Sequence, residues 1–154
     1  MKARGEMYSE VANLAEKALM VLLRLAGVLL LTAVVPAVMP SAWMEEIHRR
    51  LGMGELPEGP IIGYLTRSLS AMYAMHGALV LFVSSDVRRF LPVVKCLAGL
   101  TILFGIGMVA LDVMVEMPPY WVLCEGPFIV VLGGVLLWLS GQVEDRPAED
   151  RRRA

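Results

Sequence analysis

The stretch FLPVVKCLAGLTILFGIGMVALDVMV, residues 90–115, is apolar over almost its whole length and decides the fold class. A helix rises about 1.5 Å per residue, so roughly 20 apolar residues cross the hydrocarbon core of a bilayer. The stretch exceeds that length. Because lipid offers the backbone no hydrogen-bond partners, a spanning segment of this kind is helical. We therefore predict a transmembrane helix here.

Three further stretches, residues 18–39, 61–84 and 120–139, have the same character. The chain has 154 residues, of which 57% are hydrophobic, and its mean hydropathy is +0.65. Short ends and one longer loop leave too little chain for a separate soluble core. The sequence predicts an all-α integral membrane protein, an antiparallel bundle of four transmembrane helices. We expect one domain over residues 1–141 and a charged, disordered cytoplasmic tail over 142–154.

A short amphipathic segment follows the first predicted span, which Pro36 and Pro40 end or kink. The segment SAWMEEIHRRL, residues 41–51, places three apolar side chains on one helical face and charges on the others; the three are Trp43, Ile47 and Leu51. This pattern is typical of a helix that lies on a membrane surface. We predict such an interfacial helix between the first two spans.

The basic residues indicate the orientation in the membrane. Short links after the second and third spans predict antiparallel neighbours, so both termini share a side with the link between spans two and three. That side carries Lys2, Arg4, Lys17, Arg88, Arg89, Arg146, Arg151, Arg152 and Arg153, and the other side carries Arg49 and Arg50. The positive-inside rule then predicts cytoplasmic termini, and we expect a bacterial cytoplasmic membrane.

Three ionisable side chains on three different spans fall in one layer of the outer leaflet: Arg67, Asp112 and Glu125. Charges at this depth are costly, and they usually face a bundle interior, a partner or water. We therefore take this layer as the candidate site. Tyr64 and Trp121 lie at the same level and are the expected packing residues of a bound ligand.

Helical phase predicts which way these charged residues face. The face of Arg67 also carries Gly63, Ser70, Ala71, Ala74 and Ala78, and the face of Asp112 carries Met108, Gly105, Thr101 and Ala98. Small residues mark surfaces where helices approach closely. Glu125 shares its face with Trp121 and precedes Gly126-Pro127, where the missing N–H of the proline predicts a kink.

Two interpretations of the layer stay open. In the first, Arg67 forms a structural ion pair with Asp112 or Glu125. In the second, Arg67 holds an anionic group of a ligand while the carboxylates hold a proton or a cation. One arginine against two acids leaves an excess of negative charge, so one acid would be protonated or hold a cation, and a functional role stays open beside the ion pair. A third alternative applies to Asp112, whose carboxylate could simply reach interfacial water.

Two further polar residues are secondary candidates. His76 lies near the predicted bilayer midplane, where a hydrogen bond to a neighbouring helix or a role in proton relay would account for it. Arg24 lies in the inner half of the first span, and extension of its side chain toward the headgroups would account for it without function. The same explanation serves Lys95 in the third span.

The sequence offers little for catalysis or metal binding. Cys96 and Cys124 lie near opposite ends of their helices, so we expect free thiols rather than a disulfide. The two histidines, His48 and His76, have no cysteine or second histidine at ligand spacing, so we expect no metal and no cofactor. No nucleophile or cofactor motif accompanies the carboxylates, which makes an enzyme less favoured.

The function expected from the sequence is therefore binding. We expect a small polytopic membrane protein that binds a lipid-like or small ligand, or a partner helix, through the Arg/Asp/Glu layer. The alternative is a proton- or cation-coupled small transporter acting as a homo-oligomer, since four helices enclose little volume. The bilayer is the expected surrounding, and no nucleic-acid partner is expected. No motif gives the chain a specific resemblance to a known family.

Overall fold

The computed structural model describes residues 2–57 and 59–144, and this part of the chain contains helices and no strand. The elements in order are α1 (Lys2–Leu31), α2 (Val34–Val38), α3 (Ser41–Arg50), α4 (Pro60–Val83), α5 (Leu91–Met114) and α6 (Pro119–Glu144). The predicted all-α class is confirmed.

Three helical stretches in the described residues are long and apolar enough to cross a membrane: Ser9–Val38, Leu91–Met114 and Pro119–Glu144. They indicate an integral membrane protein, as the sequence predicts. Helix α4 is not among them, although it has 24 residues, the same length as α5. Arg67, His76 and several hydroxyl side chains lower its hydropathy.

The first predicted span is broken near its end. Helix α1 stops at Leu31, and a turn at Thr32 and Ala33 separates it from the five residues of α2. Helix α2 is followed at Met39 by extended backbone, with φ −69° and ψ 153°. Prolines lack the N–H that a continuing helix needs, which explains why the helix is interrupted around Pro36 and Pro40. The predicted kink or end is confirmed.

Helix α3 follows at once and confirms the predicted short helix. Its side chain Met44 is buried, while Trp43, Ile47 and Leu51 at or just after the helix are exposed. Glu46 pairs with Arg49 and with Arg50, so the charges of α3 partly neutralise one another. The apolar edge is thus presented to the surroundings of the protein rather than to its core.

Polar contacts identify the two ends of the helix bundle. At one end, the Arg88 Nε donates to Glu16 Oε2 at 2.7 Å, and Lys95 pairs with Glu144. We call this the Arg88 end. These contacts bring the start of α5 and the link before it beside α1 and α6, which matches the predicted antiparallel order.

The opposite end, which we call the Tyr120 end, carries α3 and the beginning of α6. The Tyr120 hydroxyl donates to the Leu51 carbonyl oxygen, so the residue after α3 lies against the first turn of α6. Gly52, with φ +75°, lies beside the same hydroxyl.

Glycines allow the helices to pack in two close pairs. A Cβ on Gly77 of α4 would lie 2.7 Å from the Gly27 oxygen of α1. In the other pair, a Cβ on Gly126 of α6 would lie 2.9 Å from the Val109 nitrogen of α5, and one on Gly105 would lie 2.9 Å from the Gly126 oxygen. Any larger residue would separate these backbones. The pairs are therefore α1 with α4 and α5 with α6, as small-residue contacts in membranes allow.

The two pairs share a core only toward the Arg88 end. Its buried members come from all four long helices and the link between α4 and α5: Ala15, Leu19, Leu23, Val80, Val83, Val87, Val94, Ala98, Leu136, Leu139 and Val143. The members from α4, α5 and α6 lie in the halves of their helices nearer the Arg88 end, and those from α1 lie within two turns of Glu16, which pairs with Arg88. Among the described residues, the shared core does not extend to the Tyr120 end.

The end of α6 differs from the predicted boundary. The helix continues to Glu144, so residues 142–144 are helical rather than part of a tail. The rest of the predicted tail lies outside the described residues.

Candidate functional site

Arg67 lies in α4 near the Tyr120 end, but it pairs with neither of the two predicted acids. Its Nη1 donates to the Ala37 carbonyl oxygen at 3.2 Å, and its Nη2 is 3.5 Å from Ser41 Oγ. No ion pair joins Arg67 to Asp112 or Glu125 within the described residues. The structural pairing that the sequence left open is therefore not the one the protein forms.

The break after α2 explains this choice of partner. The last carbonyls of a helix have no N–H partner inside the helix, and a cation near a helix C-terminus is favourable. Helix α2 ends at Val38, which leaves the Ala37 oxygen without a continuing turn. Arg67 thus closes the end of α2 and connects it to the start of α3.

Asp112 lies in the contact between α5 and α6. It is 3% exposed, and its Oδ2 has no hydrogen-bond partner among the residues that the structure describes. Ala98 and Gly105 on the same helix face are also buried, which confirms the predicted packing face of α5. A buried polar oxygen without a partner costs about 1–3 kcal/mol, and more when it is charged. Such a group calls for an explanation beyond packing.

Glu125 and Trp121 form the polar contact of α6. The Trp121 indole Nε1 donates to Glu125 Oε2, and both residues are half-buried. Their spacing of four residues brings them together on one helix face. Leu136 and Val143, eleven and eighteen residues after Glu125, also lie on that side and are buried in the shared core. Glu125 therefore faces the space between the two helix pairs.

Tyr73 of α4 lies across that space, and sequence reasoning missed it. The Glu125 carboxylate acts electrostatically on the Tyr73 phenol, although no hydrogen bond joins them within the described residues. A signal existed in the sequence, because Tyr73 precedes the buried Val80 by two helical turns and so shares its face. The chosen aromatic, Tyr64, lies about 180° away around the helix and is 67% exposed.

The secondary candidates stand apart from Glu125. His76 is half-buried, and it makes no hydrogen bond within residues 2–57 and 59–144. Arg24 is exposed on the outer side of α1. Lys95, by contrast, pairs with Glu144, so an ion pair at the Arg88 end occupies it.

Two cavities lie elsewhere. One of about 280 Å³ lies between α3, the loop after it and the start of α4, lined in part by Met44, Glu55 and Thr66. The other, about 250 Å³, is an apolar groove between α1 and α6 lined in part by Leu14 and Trp138. Neither includes Arg67, Asp112 or Glu125. Glu125 lines neither of these two cavities, and we call the space that it faces between the two helix pairs the Glu125 gap.

Metal ligands do not gather in the described part of the chain. No group of three or more histidine, cysteine, aspartate or glutamate side chains there could hold a metal ion. Cys96 and Cys124 are free thiols and exposed, as predicted.

Comparison of the chain with protein-family models, with curated proteins and with solved structures finds no match in any of the three. The function is therefore inferred from the residues of this chain alone.

Proposed function

We propose that α4 is a fourth transmembrane span, so that the protein is a four-helix membrane bundle. Helix α4 is as long as α5, and it packs backbone to backbone on α1 at Gly77. The side of α4 away from the core is apolar and exposed: Leu65, Leu69, Met72, Met75, Leu79 and Phe82. Six large exposed apolar side chains on one helix suit lipid rather than water. Arg67 donates to Ala37 and Ser41, which reduces the cost of its place in that helix.

The Arg88 end is the cytoplasmic end in this proposal. It carries Lys17, Arg88, Arg89 and Lys95, whereas the described residues of the other end carry Arg49 and Arg50 of α3. The positive-inside rule supports this orientation and cytoplasmic termini. Trp43, Ile47 and Leu51 of the α3 segment then enter the outer membrane interface.

The protein binds a lipid-like amphiphile in the gap between the two helix pairs at the Tyr120 end. One observation carries this proposal: the Glu125 carboxylate faces that gap, and within the described residues it has a hydrogen bond from Trp121 and no cation. An anionic group at membrane depth is retained only with a partner. The gap has no shared core to fill it, so the partner comes from outside the chain.

The chemistry of Glu125 selects the headgroup of the ligand. Trp121 occupies Oε2, which leaves Oε1 to accept a hydrogen bond. An ammonium group meets this need best, since it supplies both charge and N–H donors. The Tyr73 phenol on the facing helix adds a second polar group and an aromatic ring. A phospholipid with a primary ammonium, such as phosphatidylethanolamine, carries these features together with acyl chains that lie along apolar helix faces.

Native mass spectrometry of the protein from bilayers of equal phosphatidylethanolamine and phosphatidylcholine tests the proposal. The protein should retain phosphatidylethanolamine in preference, because a quaternary ammonium has no N–H to donate. Glu125→Gln should lower this retention about tenfold or more, as expected for loss of a charge-assisted hydrogen bond.

Asp112→Asn is the matched control, because that acid lies in the α5–α6 contact and does not face the gap. Its retention of phosphatidylethanolamine should equal that of the unmodified protein. Equal retention of both lipids, or equal losses in both variants, would contradict the proposal. A stoichiometric foreign polypeptide in place of lipid would show that a partner helix fills the gap.

A second candidate function rests on Asp112. Its buried Oδ2 has no partner in the described residues, and a bound proton or monovalent cation would remove that cost. This observation supports a proton- or cation-coupled transporter that acts as a homo-oligomer. Proton or cation flux into proteoliposomes, lost in Asp112→Asn and kept in Glu125→Gln, would be the expected result. Flux that neither substitution changes would exclude this role.

A further inference from the structure

The outer face of α1 carries two basic side chains in line. Lys17 and Arg24 are seven residues apart, which places them on the same side of the helix two turns from each other. Both are exposed, and neither makes an ion pair or hydrogen bond within the part of the chain that the structure describes. Two other basic side chains at the Arg88 end, Arg88 and Lys95, have acidic partners.

The opposite face of α1 packs against the bundle. Leu19 and Leu23 are buried in the shared core, and Gly27 contacts α4. The Lys17 and Arg24 face therefore turns away from the other helices. Around Arg24 this face is apolar and exposed, with Val21, Leu25 and Val28. Lys17 and Arg24 are thus exposed on the outer surface of the protein.

The depth of Arg24 favours an anionic partner at the level of the headgroups. The Arg88–Glu16 ion pair marks the polar boundary at this end, and Lys17 lies one residue beyond Glu16. Arg24 lies eight residues beyond Glu16, which corresponds to about 12 Å along the helix. Helical side chains lean toward the N-terminus, so Arg24 extends back toward Lys17 and the boundary. The two cations then bracket the level at which phosphate groups of that leaflet lie.

A second copy of the chain in the same orientation offers, among the described residues, no acid at the depth of Arg24. The two acids inside its membrane helices, Asp112 and Glu125, lie toward the Tyr120 end, and Asp112 is buried. At the Arg88 end, Glu16 and Glu144 already have basic partners, and Glu10 and Asp86 lie outside the depth of Arg24. Charge complementarity together with the apolar face around Arg24 favours a molecule that has an anionic head and acyl chains.

We propose that the outer face of α1 is a binding site for an anionic phospholipid of the leaflet at the Arg88 end. Arg24 donates N–H groups to the phosphate diester, since a guanidinium matches phosphate oxygens in a bidentate manner. Lys17 contributes the second positive charge at headgroup level. Val21, Leu25 and Val28 contact the acyl chains. This site is independent of the Glu125 gap, which lies at the other end and prefers an ammonium group.

The test is native mass spectrometry of the protein reconstituted in bilayers of equal phosphatidylglycerol and phosphatidylcholine. The unmodified protein should retain phosphatidylglycerol in preference. Arg24→Gln should lower its retention about tenfold, because it removes a charge-assisted donor pair from one face. Arg24→Lys should keep part of the preference, because the charge remains while the bidentate geometry is lost.

Arg89→Gln is the matched control. It removes the same charge at the same end of the protein but from the link between α4 and α5, where Arg89 lies against the Phe90 ring. Its retention of phosphatidylglycerol should change less than about twofold, as expected for a solvent-screened charge. Equal losses in Arg24→Gln and Arg89→Gln would overturn the site, since general attraction to an anionic surface would then explain the binding.

A synthetic leucine-rich transmembrane peptide with one aspartate at the depth of Arg24 provides the second arm. Reconstituted in phosphatidylcholine alone, it should associate with the protein equally in the unmodified and Arg24→Gln forms. Association that depends on Arg24 while phosphatidylglycerol shows no preference would overturn the lipid site and indicate an acidic partner helix.

Discussion

The two ends of the bundle differ in whether the polar side chains between their helices have partners. At the Arg88 end, Arg88 and Lys95 have acidic partners, and the two helix pairs share an apolar core. At the Tyr120 end, the Asp112 Oδ2 has no partner, and Glu125 has no cation within the described residues. The Arg88 end therefore stabilises the fold. Between the helices of the Tyr120 end, polar groups keep unused hydrogen-bonding capacity, and this is where the ammonium ligand is expected.

The largest expected effect concerns the glycine contact that holds α5 and α6 together, because both ends of the bundle depend on this helix pair. Gly126→Val should prevent stable folding, with a loss above about 3 kcal/mol, because the added Cβ would meet the Val109 backbone nitrogen at 2.9 Å. Thermal unfolding in detergent, followed by size-exclusion chromatography, measures this loss. Gly134→Val is the control, since a Cβ there meets nothing within 4 Å. Equal melting temperatures for the two variants would contradict the contact.

The shared core is the next feature to break. Leu19 is 0% exposed, and Leu19→Ala should cost about 2–3 kcal/mol. The value lies at the low end of the range for soluble proteins, because lipid tails are as apolar as the core and only packing is lost. Leu25→Ala on the exposed side of α1 should cost much less. A denaturant titration of both variants measures the difference, and comparable losses would argue against a core at the Arg88 end.

Replacement of Asp112 should raise the stability of the protein, whereas the two preceding replacements lower it. Asp112→Leu should stabilise the protein by about 1–2 kcal/mol, because an apolar side chain of similar size removes a buried oxygen that lacks a partner. The same titration reports this gain. Destabilisation by Asp112→Leu would mean that the carboxylate has a favourable partner in the native state.

Replacement of Arg67 distinguishes a structural role from a ligand-binding role at the Tyr120 end. Arg67→Leu should speed hydrogen exchange of the backbone around α2 and the start of α3, with a cost of about 1 kcal/mol, because the Ala37 oxygen and Ser41 hydroxyl lose their donor. Phosphatidylethanolamine retention should stay unchanged. If Arg67→Leu lost phosphatidylethanolamine without faster hydrogen exchange, Arg67 would be a ligand-binding residue, which is one of the two roles that the sequence left open.

Much of the fold follows from the sequence. Segment length and apolar content predict α5 and α6 closely, and the phase of Ala98, Gly105 and Asp112 predicts the buried face of α5. The corresponding prediction for α4 is only partly right. Ala74 is buried as expected, whereas Ala71 and Ala78 are exposed, because α4 contacts α1 through Gly77. Which small residue forms the contact depends on the partner helix, and phase alone does not contain that information.

The candidate site is less predictable than the fold. Trp121 and Glu125 are four residues apart, so their contact is local and the sequence contains it. The hydrogen bond from Arg67 to the Ala37 carbonyl oxygen could not be predicted, because a backbone carbonyl freed by a helix break carries no side-chain signature. Tyr73 was missed for a related reason, since its relation to Glu125 depends on how far apart the two helix pairs lie.

Distance measurement by pulsed electron paramagnetic resonance tests most directly whether the two ends differ. Spin labels would replace Leu65 and Leu123 at the Tyr120 end, or Leu79 and Leu137 toward the Arg88 end, all of them exposed. The exposed native thiols, Cys96 and Cys124, would first be changed to serine.

In phosphatidylcholine bilayers we expect a broad distance distribution at the Tyr120 end and a narrow one at the Arg88 end. Addition of phosphatidylethanolamine should narrow the first and leave the second unchanged, because the ligand fills a gap that the shared core does not reach. Distributions that are equally narrow at both ends and indifferent to phosphatidylethanolamine would contradict the account.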